Sequence, residues 1–171
     1  VQGYFNILFL PTQVINLLSG FVFKPLLSQY GAAVGERDFI RFRQLYRRHL
    51  FLIGGLTVFC CLAGYLLGTQ VLGLFYAVDL SAYRLELLTI LSGGFIAAGS
   101  MSYYLLVMLR KQMWIFLNYA VNIGIGVVIS VLLVKNFSIL GGALSILVSQ
   151  ALLFFVFAIF LLFFTRRTSD A

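Results

Sequence analysis

Negative charge is nearly absent from this chain. Five acidic residues, Glu36, Asp38, Asp79, Glu86 and Asp170, stand among 171. All five fall outside the long apolar runs, so no paired carboxylates sit on an apolar helix for a proton relay or an intramembrane protease. Histidine occurs once, as His49, with no second imidazole and no nearby cysteine, which makes it a poor metal candidate. The two cysteines, Cys60 and Cys61, are adjacent. Neighbours on a helix point about 100° apart and are badly placed to bond to each other, so both read as small packing residues. Neither a GxxxxGK[ST] loop nor a GxSxG elbow is present. No metal or cofactor is expected, and no enzymatic activity.

Apolar surface is what the chain has in abundance. Hydrophobic residues make up 62% and charged residues 10%, with a mean hydropathy of +1.05. Soluble domains carry about 25% charged residues. A soluble fold of this length could not cover so much apolar surface, so the expected solvent is lipid. The net charge is +7, a balance often met in nucleic-acid-binding proteins. Here the cations sit at the ends of apolar runs instead, as at a membrane surface. No nucleic-acid partner is expected.

Five apolar runs each approach the ~20 residues that a helix needs to cross about 30 Å of hydrocarbon. They are Gln2 to Phe23, Leu50 to Ala77, Leu87 to Leu109, Met113 to Val134 and Ser138 to Phe164. The last four hold no charge, and one mid-bilayer arginine would cost roughly 2.5–3.5 kcal/mol. The connections then sort the cations. Lys24, Arg37, Arg41, Arg43, Arg47 and Arg48 follow the first run, Arg110 and Lys111 the third, and Arg166 and Arg167 the fifth. Only Arg84 and Lys135 follow the second and fourth. Ten of the twelve basic residues thus share one side, and the positive-inside rule makes that side cytoplasmic, with the N-terminus outside.

Between the first two runs lies "DFIRFRQLYRRHL". Asp38 reads as an N-cap, and Phe39, Phe42, Tyr46 and Leu50 recur at helical spacing. Arg41, Arg43, Arg47 and Arg48 fall largely beside or opposite them. This is an amphipathic helix of about residues 38–49, expected on the cytoplasmic face. Its arginines contact either anionic lipid headgroups or the phosphate of a substrate entering from the cytoplasm. Polar side chains also punctuate the spans. Asn6, Gln13 and Asn16 share a broad face of the first run, interrupted by Pro11, which frees a backbone carbonyl and bends a helix. That face suits a hydrated cavity wall or interhelical hydrogen bonds, and both readings stand. Asn118 and Asn122, four apart, form a second stripe read as interhelical hydrogen bonding. Gly94 and Ala98 offer small-residue faces for close helix contact.

The run "GYFNILFLPTQVINLLSGFVFKPLLSQYGAAVGERDFIRF" resembles the eighth helix and following cytoplasmic segment of bacterial polysaccharide flippases. Those proteins share a superfamily with multidrug exporters of the MATE type and with lipid II flippases. "LLGTQVLGLFYAVDLSAYRLELLTIL" is similar to the family's ninth helix, outer loop and start of the tenth. "NFSILGGALSILVSQ", with Gly141, Gly142 and Ala143, is similar to its entry to the twelfth. The resemblance implies an all-α integral membrane protein holding five transmembrane helices of a MATE-like C-terminal lobe, in the bacterial cytoplasmic membrane. It further implies transport of a polyprenyl-diphosphate-linked oligosaccharide by alternating access, for surface polysaccharide such as O-antigen, capsule or exopolysaccharide. Membrane lipids, the lipid-linked oligosaccharide and an N-terminal lobe of the same protein are the implied partners. The chain is accordingly expected to be a C-terminal piece of a longer protein, unable to transport alone. The matching cavity wall comprises Asn6, Gln13 and Asn16, with Lys24 at its inner mouth, where the ammonium pairs with a diphosphate or snorkels to headgroups. A drug exporter, a lipid II flippase, a non-catalytic membrane scaffold and a membrane glycosyl- or acyltransferase subunit are the competing readings.

Overall fold

Where water is excluded, a backbone has to satisfy its own N–H and C=O groups, and a helix does so within one segment. The computed structural model describes the backbone of residues 2–68 and 89–167, and side chains of residues 12–66, 91–138 and 140–166. Among the described residues there is no strand. Helix α1 spans Gln2–Phe23 and runs through Pro11 without ending. A 3-10 turn, Lys24–Leu26, leads into α2, Leu27–Gly35. Helix α3 spans Phe39–Ala63 and is prolonged by a wider π turn, Gly64–Gly68. Helix α4 covers Thr89–Met108. Helix α5 covers Gln112–Arg167 and folds back at Ser138, where φ is 49° and ψ is −119°.

Two of the turns share one construction. After α2, the Arg37 amide donates to Val34 O and the Asp38 amide to Ala33 O. After α4, the Arg110 amide donates to Val107 O and the Lys111 amide to Leu106 O. Both are Schellman closures with arginine, not glycine, in the left-handed position, at φ 57° and 56°. The left-handed conformation costs a non-glycine residue roughly 1–2 kcal/mol. A cation at a helix C-terminus offsets part of that cost. Asp38 then caps α3, its carboxylate accepting from the Arg41 amide at 2.9 Å.

Small residues set how the rods approach. A side chain at Gly93 would lie 2.8 Å from the Thr12 carbonyl of α1, and one at Gly94 would strike Thr57 of α3. Ala97 and Ala98 continue the same buried face one turn on. Between lipid-facing helices the gain comes from such van der Waals contact, since lipid is as apolar as leucine. Helices α1 and α4 run parallel, with Thr12 beside Gly93 and Phe23 beside Tyr104. Helix α3 is antiparallel to both, with Tyr46 bonded to Ser102 and Thr57 facing Gly94. The two arms of α5 form an antiparallel hairpin zipped by Trp114 on Phe160 and Tyr119 on Phe157.

The outer surface is apolar. Phe51, Met113, Phe116 and Phe59 are 87, 79, 70 and 69% exposed. Soluble monomers rarely expose contiguous apolar patches of more than a few hundred Å². Four helices are long and apolar enough to cross a membrane: Phe39–Leu66, Leu91–Met108, Gln112–Ser138 and Leu140–Arg166. The chain is a multi-pass, all-α membrane protein. The rod directions place Lys24, the α3 arginines, Arg110, Lys111 and Arg166 at one end, and Lys135 at the other.

Two boundaries differ from the sequence reading. The amphipathic segment and the second run are one helix, with no break at Leu50. Its stripe of Phe39, Phe42 and Tyr46 is buried against protein and continues to His49 and Ile53, while Leu50 is half-buried. The fourth run extends beyond Val134 to the bend at Ser138, because Gly141 lets the returning arm sit on the backbone of Leu133 and Val134. The connection with Asp79, Arg84 and Glu86 and the latter part of the second run lie outside the described residues, as does the Asn6 side chain.

Candidate functional site

Helices α1 and α4 meet closely at Thr12 and Gly93 and part towards the cation-bearing end. The gap between them is a half-open cavity of about 530 Å³. Its polar lining comes from Asn16, Ser19 and Lys24 on α1 and the adjoining turn, and from Ser100 and Tyr104 on α4. Spacing explains the α1 contribution: Asn16 and Gly20 are four apart, and Ser19 lies between them on the same face. Ser19 is buried, and its Oγ has no hydrogen-bond partner. A buried hydroxyl left unmatched costs roughly 1–3 kcal/mol. The volume is in the range of small-molecule sites, about 300–1,000 Å³.

Phe23 lines the cavity on its buried side. Its ring lies 6.0 Å from Tyr104, 6.1 Å from Tyr30 and, edge-on, 6.2 Å from His49. Behind it His49 is 3% exposed. Its Nδ1 is 2.8 Å from the Tyr30 hydroxyl and 3.1 Å from the Leu45 carbonyl. Burial, reinforced by nearby Tyr46, pushes the Tyr30 hydroxyl well above the usual tyrosine range, so it stays a proton donor. If Nδ1 accepts from Tyr30, the proton on Nε2 has no acceptor. If Nδ1–H donates to Leu45, Nε2 presents a bare lone pair. Either tautomer leaves Nε2 buried without a partner. The sequence reading treats His49 only as a poor metal candidate and does not foresee this pairing with α2. The available signal was spacing, since His49 follows Tyr46 by three and precedes Ile53 by four.

The other candidate residues separate into groups. Asn16 and Lys24 reach the cavity, whereas Gln13 is exposed on α1 and does not line it. Asn118 donates to Leu153 O at a long 3.4 Å, and Asn122 to Ser149 O at 3.1 Å. Both amides hold the arms of α5 together, away from the cavity. Among the arginines, Arg41 pairs with Glu36 at 3.6 Å, and Arg43 Nε donates to Phe39 O at 3.3 Å. Arg47 and Arg48 are exposed, with no hydrogen bond or ion pair to a described carboxylate or backbone group. Among the described residues no group of histidine, cysteine and carboxylates is placed to hold a metal ion. Compared with known proteins, the chain matches no family model, no curated protein and no solved structure.

Proposed function

We propose that this chain is part of a membrane transporter that carries a polyprenyl-diphosphate-linked oligosaccharide across the bacterial cytoplasmic membrane by alternating access, as in the polysaccharide flippases it resembles. The observation that carries this reading is the cavity between α1 and α4. It combines amide and hydroxyl groups suited to sugar with one lysine at the cation-bearing end suited to a diphosphate. No bond is made or broken in such transport, so no nucleophile or acid–base pair is required of the site. Transport takes a second lobe to complete the cavity, and α1 and α4, with Leu27 of α2 and Ile53 of α3, supply the wall on this side. The N-terminus lies outside and the cation-bearing end faces the cytoplasm, where the charged head group enters.

Binding to the full chain in nanodiscs tests the site. A short-chain polyprenyl diphosphate should bind, and Lys24→Gln should weaken it by about tenfold, the loss of one charge-assisted contact. Gly20 lines the cavity, and a Cβ there meets nothing within 4 Å. Gly20→Leu therefore fills the cavity without breaking α1, and should abolish binding. Unchanged binding in both variants would remove this site. In the cell of origin, deletion of the gene should leave lipid-linked glycan on the inner leaflet; altered drug sensitivity without such accumulation would favour an exporter.

A further inference from the structure

The arginines of α3 are not equivalent. Arg41 is drawn to Glu36 and Arg43 to its own helix backbone, while Arg47 and Arg48 have no ion pair or hydrogen bond among the described residues. These two lie with Gln44, Phe51 and Leu52 on a shallow groove of about 500 Å³. Positions 44, 47, 48, 51 and 52 are spaced i, i+3, i+4, i+7 and i+8, which is a single helix face. It lies away from the buried stripe of Phe42, Tyr46, His49 and Ile53. The face changes character sharply along its length. Its first turn is amide and guanidinium, and everything below is apolar.

The apolar part continues as a track. Gly55 is exposed, and a Cβ there would meet nothing within 4 Å, so the helix surface is notched at that level. Phe51 above and Phe59 below the notch are among the most exposed rings of the molecule. From Arg48 to Phe59 the helix rises about 16 Å. One leaflet of hydrocarbon is about 15 Å deep, half of the roughly 30 Å core. Head, notch and length together match one amphiphile: a negatively charged head on two guanidiniums, and an acyl chain laid over Gly55 between two phenyl rings.

We propose that this face of α3 is a binding site for one anionic diacyl phospholipid, its phosphate held by Arg47 and Arg48 with Gln44 beside them. Charge complementarity selects the lipid over a zwitterionic one. A zwitterionic head brings its own cation to the two arginines, and an anionic head does not. The pair acts as a unit distinct from Arg41, which leans to Glu36, and from Arg43, whose Nε turns to the Phe39 carbonyl. The proposal stands apart from the α1–α4 cavity, since Arg47, Arg48 and Gly55 do not line it.

The test uses the full chain in nanodiscs made of equal parts phosphatidylglycerol and phosphatidylcholine, released into the gas phase for native mass spectrometry. One phosphatidylglycerol should be retained per chain in preference to phosphatidylcholine. Replacing both Arg47 and Arg48 by Gln should lower that preference by about 30-fold. Replacing both Arg41 and Arg43 by Gln removes the same charge and should change it by less than about twofold. Gly55→Leu keeps all charges and should reduce retention by obstructing the notch, and the helical circular dichroism of every variant should match the parent. Equal loss from the two arginine pairs would show diffuse attraction and overturn the site. So would indifference to Gly55→Leu, retention of both lipids alike, or a polypeptide found covering this face in place of lipid.

Discussion

At the scale of single residues, the costs lie in polar groups taken out of water. Tyr30 and His49 tie α2 to α3 through one hydrogen bond of 2.8 Å. Such bonds within membrane bundles contribute about 0.6 kcal/mol on average and up to about 1.7. Tyr30→Phe removes the hydroxyl and leaves Nδ1 with the Leu45 carbonyl alone, beside an Nε2 already without a partner. It should lower stability by about 1 kcal/mol, read as an earlier midpoint in detergent-driven unfolding. Adding His49→Leu to that variant removes every unmatched atom of the pair and fills the space with methyl groups. Replacement of both partners by apolar groups can be neutral or stabilising, so the double variant should recover most of the loss. A double variant weaker than the sum of its single changes would mean that the ring nitrogens have a partner after all.

At the scale of elements, glycine separates close contacts from open helix surface. A Cβ on Gly124 meets nothing within 4 Å, whereas one on Gly141 runs into the Leu133 backbone. Gly124→Ala should therefore stabilise by up to about 1 kcal/mol through helix propensity alone. Gly141→Ala should destabilise by about 1–3 kcal/mol, because backbone cannot step aside as a flexible side chain can. Ser138 has the dihedrals of the first central residue of a II′ turn, a position that favours glycine. Ser138→Gly should accordingly tighten the hairpin by about 1 kcal/mol, seen as a later unfolding midpoint. These contacts were only partly legible beforehand. The sequence separates the two arms of α5 at Lys135, because one charge interrupts an otherwise unbroken apolar run. It places Gly94 and Ala98 on a packing face; in the structure Thr57 sits on Gly94, and α1 sits on the adjacent Gly93. It does not show which carbonyls Asn118 and Asn122 meet, because an amide on an apolar helix has the same pattern whether it faces a cavity or a neighbour. His49 was obscured by the arginines beside it, which mark the segment as polar although every third or fourth residue is buried.

At the scale of the whole molecule, the governing quantity is where charge is left when the rods are stacked. The alternating helix directions bring Lys24, the α3 arginines, Arg110, Lys111 and Arg166 to a single end, with Lys135 alone among the described cations at the other. This arrangement was readable from the chain because burying one arginine at mid-bilayer costs several kcal/mol, so each charge marks a boundary. The cavity was less readable, since Asn16, Ser19 and Tyr104 become neighbours only when α1 and α4 diverge. Helix α3 gives the test of placement. Phe39–Leu66 is 28 residues long, about 42 Å, against about 30 Å of hydrocarbon. Its first turns therefore stand in the headgroups and water, with Gln44 exposed among them. Asn136, beside the opposite turn, is exposed as well. With Cys60 and Cys61 replaced by Ser, cysteines introduced at Gln44 and Asn136 report on opposite faces. In right-side-out vesicles a membrane-impermeant maleimide should label position 136 and leave 44 unmodified. Inside-out vesicles should give the reverse. Labelling of both positions from one side would contradict the spanning arrangement, and an exchanged pattern would contradict the orientation set by the cations.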